Sequence, residues 1–190
     1  MIGALTGEGG TTVTEPRTSS SDRYVRPQAD DAWAADAARQ GKTGTQQLLA
    51  VEAIEPTDEV RTALALRAGE HAVVRRRLIL ADDQPVEIAE SYYPTSIAVG
   101  TPLAENRKIR GGAVRALSDA GRPLDESVER VTAERAGEFA GLLDVDVDEP
   151  LIVIKRVSST DNIGPVEYAV NRMVAVRVED LEYRMRNKAW

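Results

Sequence analysis

The sequence predicts an α+β domain: one antiparallel sheet with helices packed on one side, built as an internal duplication. Three observations carry this. First, the run EHAVVRRRLILADDQPVE at 70–87 returns as EPLIVIKRVSSTDNIGPVE at 149–167, with one residue inserted in the turn. Arg77 then stands opposite Arg156, Asp82 opposite Asp161, and the two Pro-Val-Glu triplets coincide. Second, each copy follows a short stretch of helical apolar spacing, Pro56–Leu66 before the first and Glu134–Leu142 before the second. Third, each run is an apolar, β-branched strand turning back at Asp/Asn. Two copies are too few for a solenoid and make one pseudo-symmetric domain.

Composition sets the outer bounds. A chain of 190 residues is one domain plus an appendage on a prior of roughly 150 residues per domain. Its 42% hydrophobic and 29% charged residues exclude collagen-like and low-complexity classes. With no cysteine, disulfides, thiolate metal sites and a catalytic thiol are excluded, and His71 alone removes any mechanism needing two imidazoles. No apolar run approaches the roughly 18 residues of a membrane helix, and MIGALTGEGG lacks a basic and apolar leader. A cytoplasmic protein without membrane partners is expected. The net charge of −7 resides in residues 118–150, which hold ten acids against three arginines. No clustered cationic face is left to track a phosphate backbone, so this chain is not expected to bind nucleic acid unaided.

In chain order, residues 1–28 are Gly/Ser/Thr/Pro-rich and read as a linker, leaving 29–190 as the folded unit. Asp30 and Asp31 precede AWAADAARQ, a helix with an acidic start that stops at Gly41. QQLLAVEAIE, from Gln46, reads as a strand, and Pro56 opens a helix with Val60, Ala63 and Leu64 on one face. In the hairpin that follows, pairing Leu80 with Val86 places Ala72, Val74, Leu78, Leu80, Val86, Ile88 and Tyr92 on a core face. The other face then carries Arg75, Arg77, Ile79, Glu87, Ala89, Ser91 and Tyr93. The second hairpin matches it with Arg156, Ser158, Glu167, Ala169, Asn171 and Met173. Two such faces either line a cleft with converging polar groups or decorate a solvated sheet with cross-strand ion pairs.

Between the copies, Arg107-Lys-Ile-Arg-Gly-Gly112 precedes a short helix beginning at Ala113. Glycines before a helix start, behind three cations, form either an anion seat or a tight turn. The acids at 144–148 lack the glycine and closing glutamate of a calcium loop and read as a plain connection, and His71, at a strand start, reads as structural.

AVVRRRLILADDQPVEIAESYYP, GGAVRALSDAG and EPLIVIKRVSSTDNIGPVEYAVNRMV, in this order and spacing, resemble the UTRA effector-binding domain of GntR-family transcriptional regulators, of the HutC branch. The resemblance runs from about Trp33 to Tyr183. It implies a chorismate lyase-like fold and a homodimeric, ligand-sensing domain without enzymatic activity, metal or cofactor. The effector it implies is a small, anionic metabolite such as a sugar phosphate or a carboxylate. DNA would be read only by a winged helix-turn-helix that this chain does not include, with residues 7–13, GEGGTTV, resembling the last strand of its wing.

The family's hairpin arginine falls on Arg77 and its second carboxylate on Glu167. Its second arginine falls on Ile79, its first carboxylate on Ala89 (with Glu87 one pleat away), its tyrosine on Met173 and its helix-start hydroxyl on Gly112. About half of the sugar-phosphate pattern is therefore absent. The effector-binding set is expected to comprise Thr45, Gln46, Arg75, Arg77, Glu87, Ser91, Tyr93, Gly112, Ala113, Glu167 and Asn171. Two alternatives stand beside the sensor. One is a chorismate lyase-like enzyme using Arg77, Glu87 and Glu167 as anion clamp and acid/base pair. The other is a free-standing ligand-binding protein.

Overall fold

Two hairpins sharing the same irregularity form the middle of the molecule in the computed structural model, which describes residues 18–19, 24–26, 32–178 and 181–184. Strand β3 (Ala72–Ala81) turns into β4 (Gln84–Pro94) through Asp82 and Asp83, both at positive φ as a two-residue primed turn requires. Strand β6 (Pro150–Thr160) turns into β7 (Gly164–Val174) through three residues, closed by Gly164 at φ +91°. The inserted residue of the repeat is this longer turn.

In β3–β4 the ladder steps from Ile79↔Glu87 to Leu80↔Pro85, and in β6–β7 from Ser158↔Glu167 to Ser159↔Pro165. Val86 and Val166 are the extra residues. A proline has no N–H to give the ladder, and a bulge absorbs the mismatch. The expected Leu80–Val86 pair is therefore not formed. Val86 packs with Ile79, Ala81, Ala89 and Trp33, on the side opposite to the core face expected for it.

The hairpins lie back to back. Strand order is β2-β3-β4-β7-β6-β5, antiparallel throughout, with β2 (Gly44–Ile54) and β5 (Glu126–Arg135) at the edges. Glu90 of β4 faces Val170 of β7, and these two hold the same place in the two copies. A pseudo-twofold axis thus passes between them.

Strand β5, the counterpart of β2 in the repeat, takes residues from the helix expected at Glu134–Leu142. Glu134 pairs with Leu151 in the ladder, and the Ala136 N–H donates to the Glu149 carbonyl at 2.8 Å. Only a 3-10 turn at Gly137–Phe139 and α5 (Ala140–Leu143) remain helical. Helix α2 (Asp58–Ala63) starts at Thr57, whose side chain accepts from the Val60 N–H.

Helices α2 and α5 form the expected layer on one side. Val60, Leu64, Ala140 and Leu143 pack there on Leu78, Leu80, Ile88, Leu151, Val153 and Val170. Among the described residues, the opposite side is covered at its two ends. Helix α3 (Thr95–Ala98), the 3-10 turn Pro102–Ala104 and α4 (Gly112–Asp119) pack on Val73, Tyr93 and Val166 at one end. Helix α1 (Ala32–Arg39) sets Trp33 on Ile79, Ala81, Val86 and Ala89 at the other. Strand β1 (Thr18–Ser19) pairs with β8 (Tyr183–Arg184), joining the stretch before α1 to the one after β7. Residues 7–13, expected to resemble a wing strand, lie outside the described residues. Among the described residues no helix is long and apolar enough to cross a membrane.

Candidate ligand cavity

Between the α1 end and the α4 end the sheet face is left open as a cavity of about 580 Å³, within the roughly 300–1,000 Å³ of ligand pockets. Its floor is the face that alternation set apart. Gln46, Arg75, Arg77, Glu87, Ser91, Tyr93, Glu167 and Asn171 all line it, with Gly112 and Ala113 at the α4 rim. Thr45 does not: it pairs with Leu80 and is exposed on the other side of β2, whose cavity-facing residues are Gln46 and Leu48. A one-residue step along a strand changes sides.

The floor groups are buried or half-buried and incompletely paired. Arg77 Nη2 donates to Ser91 Oγ at a long 3.4 Å, while its Nε has no hydrogen-bond partner among the described residues. Arg156, 7% exposed, donates through Nη1 to Glu129 Oε1 at 3.1 Å, and its Nε is also unpaired. Glu167, 3% exposed, accepts the Tyr93 hydroxyl at 2.6 Å on Oε1 and, among the described residues, nothing on Oε2. A buried polar atom left unpaired costs about 1–3 kcal/mol. Three in one hollow favour a guest that supplies their partners.

Electrostatics point the same way. Among the described residues, eight Arg or Lys but three Asp or Glu line this cavity, in a chain of net charge −7. Burial pushes the Glu87 carboxyl up to about 7, against the pull of Arg77 and Arg156. Burial, then the Glu167 carboxylate, holds the Tyr93 phenol well above its ordinary range, so it stays a donor.

Two expected anion contacts are engaged elsewhere. Arg75, 4% exposed, donates to the carbonyls of Pro102, Leu103 and Glu105 through Nη1 and to that of Arg107 through Nη2, at 2.7–3.3 Å. It fastens the loop leading to α4, with both terminal nitrogens occupied. The Gly112 N–H donates to the Ile109 carbonyl at 3.1 Å, closing a tight turn in which Gly111 and Gly112 both take positive φ. The N–H groups that a helix start leaves unpaired are those further into the first turn, of Ala113 and Val114.

Other lining residues escaped the sequence reading. Arg156 was signalled as the repeat partner of Arg77. Trp33, Leu48 and Arg177 come from segments whose pattern gave only secondary structure or nothing. Among the described residues, no three His, Cys, Asp or Glu side chains are grouped to hold a metal ion.

An antiparallel sheet with unpaired buried polar atoms in a hollow of this size is the architecture of a small-molecule-binding domain. Residues 39–179 match the UTRA domain, and the chain belongs to that family, the effector-binding part of GntR-family transcriptional regulators rather than an enzyme. It is 30% identical over 145 residues to an uncharacterized HTH-type transcriptional regulator of Streptomyces coelicolor, a match covering 73% of this chain and 54% of that one. The chain thus spans about half the length of that relative. Its fold is that of the effector domain of PhnF from Mycobacterium smegmatis (TM-score 0.66, 17% identity, 76% of this chain and 89% of that one). The C-terminal domain of the histidine utilization repressor from Pseudomonas syringae is similar as well (TM-score 0.65, 23% identity, 76% and 99%).

Proposed function

We propose that this chain senses a small anionic metabolite for a cytoplasmic, homodimeric GntR-family regulator of the HutC branch. Residues 29–190 form the sensor in this reading, and 1–28 connect it to a separate winged helix-turn-helix that reads DNA. The observation that carries the proposal is the set of buried, unpaired atoms on the cavity floor: Arg77 Nε, Arg156 Nε and Glu167 Oε2. The ligand's anion takes Arg77, seconded by the first turn of α4, and a donor on the ligand takes Glu167. Glu87, Ser91, Tyr93 and Asn171 shape the floor around them.

The cavity wall supplies the route to regulation. Tyr24, Arg26 and α1 line the cavity, so the segment leading into the sensor is part of its wall. Tyr24 is tied to α1 by its hydroxyl, which donates to Asp36 Oδ2 at 2.9 Å. A ligand that binds one placement of α1 better than another shifts the equilibrium between them, and with it the spacing of the DNA-reading heads. Calorimetry against a panel of phosphorylated sugars and carboxylates tests the reading. At least one anion should bind the wild type, and Arg77→Ala should weaken it about 10- to 100-fold without unfolding the protein. A bound anion indifferent to Arg77→Ala would place the site elsewhere.

A further inference from the structure

Under α1 the sheet side of the cavity carries an apolar patch, rimmed by Arg26, Asp36, Gln40 and Lys42, in contrast to the charged floor. Trp33 lies on Ile79, Ala81, Val86 and Ala89, and Met173 and Leu48 continue the lining. Along β3, Arg77 is followed on the same face by Ile79 and Ala81, so the hydrocarbon wall begins about 7 Å beyond the arginine Cα and extends to about 14 Å. The repeat shows how this wall arose: Val86 is turned into the cavity by the bulge at Pro85. The Trp33 indole is held in place by its Nε1–H, which donates to the Leu80 carbonyl at 2.9 Å. Its ring therefore presents a face rather than a donor. A polyhydroxylated guest pressed on this wall would bury hydroxyls without partners, whereas a hydrocarbon one would gain by leaving water.

Resting on the effector reading above, we propose a hydrocarbon subsite under α1. The effector class it selects is an amphipathic small acid: an anion for Arg77, a hydroxyl or amino donor for Glu167, and an alkyl or aryl group against Trp33. Polar sugar phosphates are selected against.

Titration calorimetry with L-2-amino acids and 2-hydroxy acids of three to about six carbons, and with glucose 6-phosphate, tests it. Affinity should rise about three- to fourfold per added methylene. Chains without the 2-amino or 2-hydroxy group should bind more weakly. In a Trp190→Phe background Trp33 is the sole indole, so the longer acids should change its emission and glucose 6-phosphate should not. Trp33→Ala should flatten the chain-length dependence, weakening the six-carbon acids by a larger factor than lactate. Trp33→Phe serves the same comparison if the alanine variant unfolds. If glucose 6-phosphate binds most tightly and leaves the Trp33 emission unchanged, the subsite is wrong while the sensor reading stands. If no acid of either kind binds, both are wrong.

Discussion

The two halves of the cavity floor descend from the same pattern and differ in what their arginines are given to hold. In the ladder, Arg156 of β6 faces Glu129 of β5, and Arg77 of β3 faces Leu48 of β2. Glu129 and Leu48 occupy equivalent places about the pseudo-twofold axis. Arg156 is therefore neutralised within the fold, at 3.1 Å from its carboxylate, while among the described residues Arg77 bonds a serine hydroxyl at 3.4 Å. The carboxylates diverge in the opposite half. Glu167 has the Tyr93 phenol, whereas Glu87 faces Met173, which holds the equivalent place and has no hydroxyl to offer. Duplication built a symmetric receptor. In the proposed reading Arg156 is held chiefly by Glu129 and Arg77 is the arginine left to a ligand.

The largest effect that can break this comparison is on stability. Arg156→Ala leaves Glu129, only 13% exposed at its side chain, without its cation. Removing one partner of a buried pair costs about 3 kcal/mol or more. In a chain of this size that lowers Tm on the order of 10 °C, measurable by thermal denaturation. Arg77→Ala should lower Tm far less, because its hydrogen bond is a long one to a serine hydroxyl and no carboxylate is bonded to it. Equal losses would show that the two arginines do the same work.

Next comes an exchange of roles. Leu48→Glu gives Arg77 the cross-strand carboxylate that Arg156 already has. The fold should tolerate it, since the new charge arrives beside an unsatisfied guanidinium. Anion affinity should fall about tenfold, the loss of one charge-assisted contact, read by the same calorimetric titration. Undiminished affinity would mean that Arg77 does not hold the anion.

How much of this could be seen in the chain itself depended on whether the controlling interaction was local. The repeat gives strand order of each hairpin, the turn insertion and the polar face, because alternation and proline chemistry act over a few residues. Register failed at Val86, where the same Pro-Val-Glu that marked the repeat also forces a bulge. Strand β5 was hidden because it lies at the sheet edge, with Val128 and Val131 about half exposed and no continuous apolar pattern. Its presence was implied by the duplication, since β2 flanks the first hairpin. Arg75 departs from its expected role for a different reason. Its side of the strand was right, but the carbonyls that occupy it come from residues 102–107, a contact about 30 residues away that no spacing encodes.

The smallest effect concerns Glu87 and sharpens the comparison of the carboxylates. Burial raises its folded-state pKa to about 7 from an ordinary value of 4.5. Because the folded state holds this proton more tightly than the unfolded chain, Glu87 contributes stability that is fully present below about pH 4.5 and is lost as pH rises through about 7. Denaturant unfolding of the wild type between about pH 5 and about pH 8 should therefore show a downward component that Glu87→Gln lacks. The ionised carboxylate also competes with a ligand anion for Arg77. Anion affinity should accordingly weaken across the same interval by no more than about tenfold per pH unit, the limit for one proton. Glu87→Gln should flatten this dependence when the ligand itself does not titrate there. Met173→Tyr, which sets a phenol opposite Glu87 as Tyr93 is set for Glu167, should lower the Glu87 pKa, because a hydrogen bond to the ionised form favours it. A pH profile unmoved by either substitution would assign the titration to another group and leave the two halves distinguished by their arginines alone.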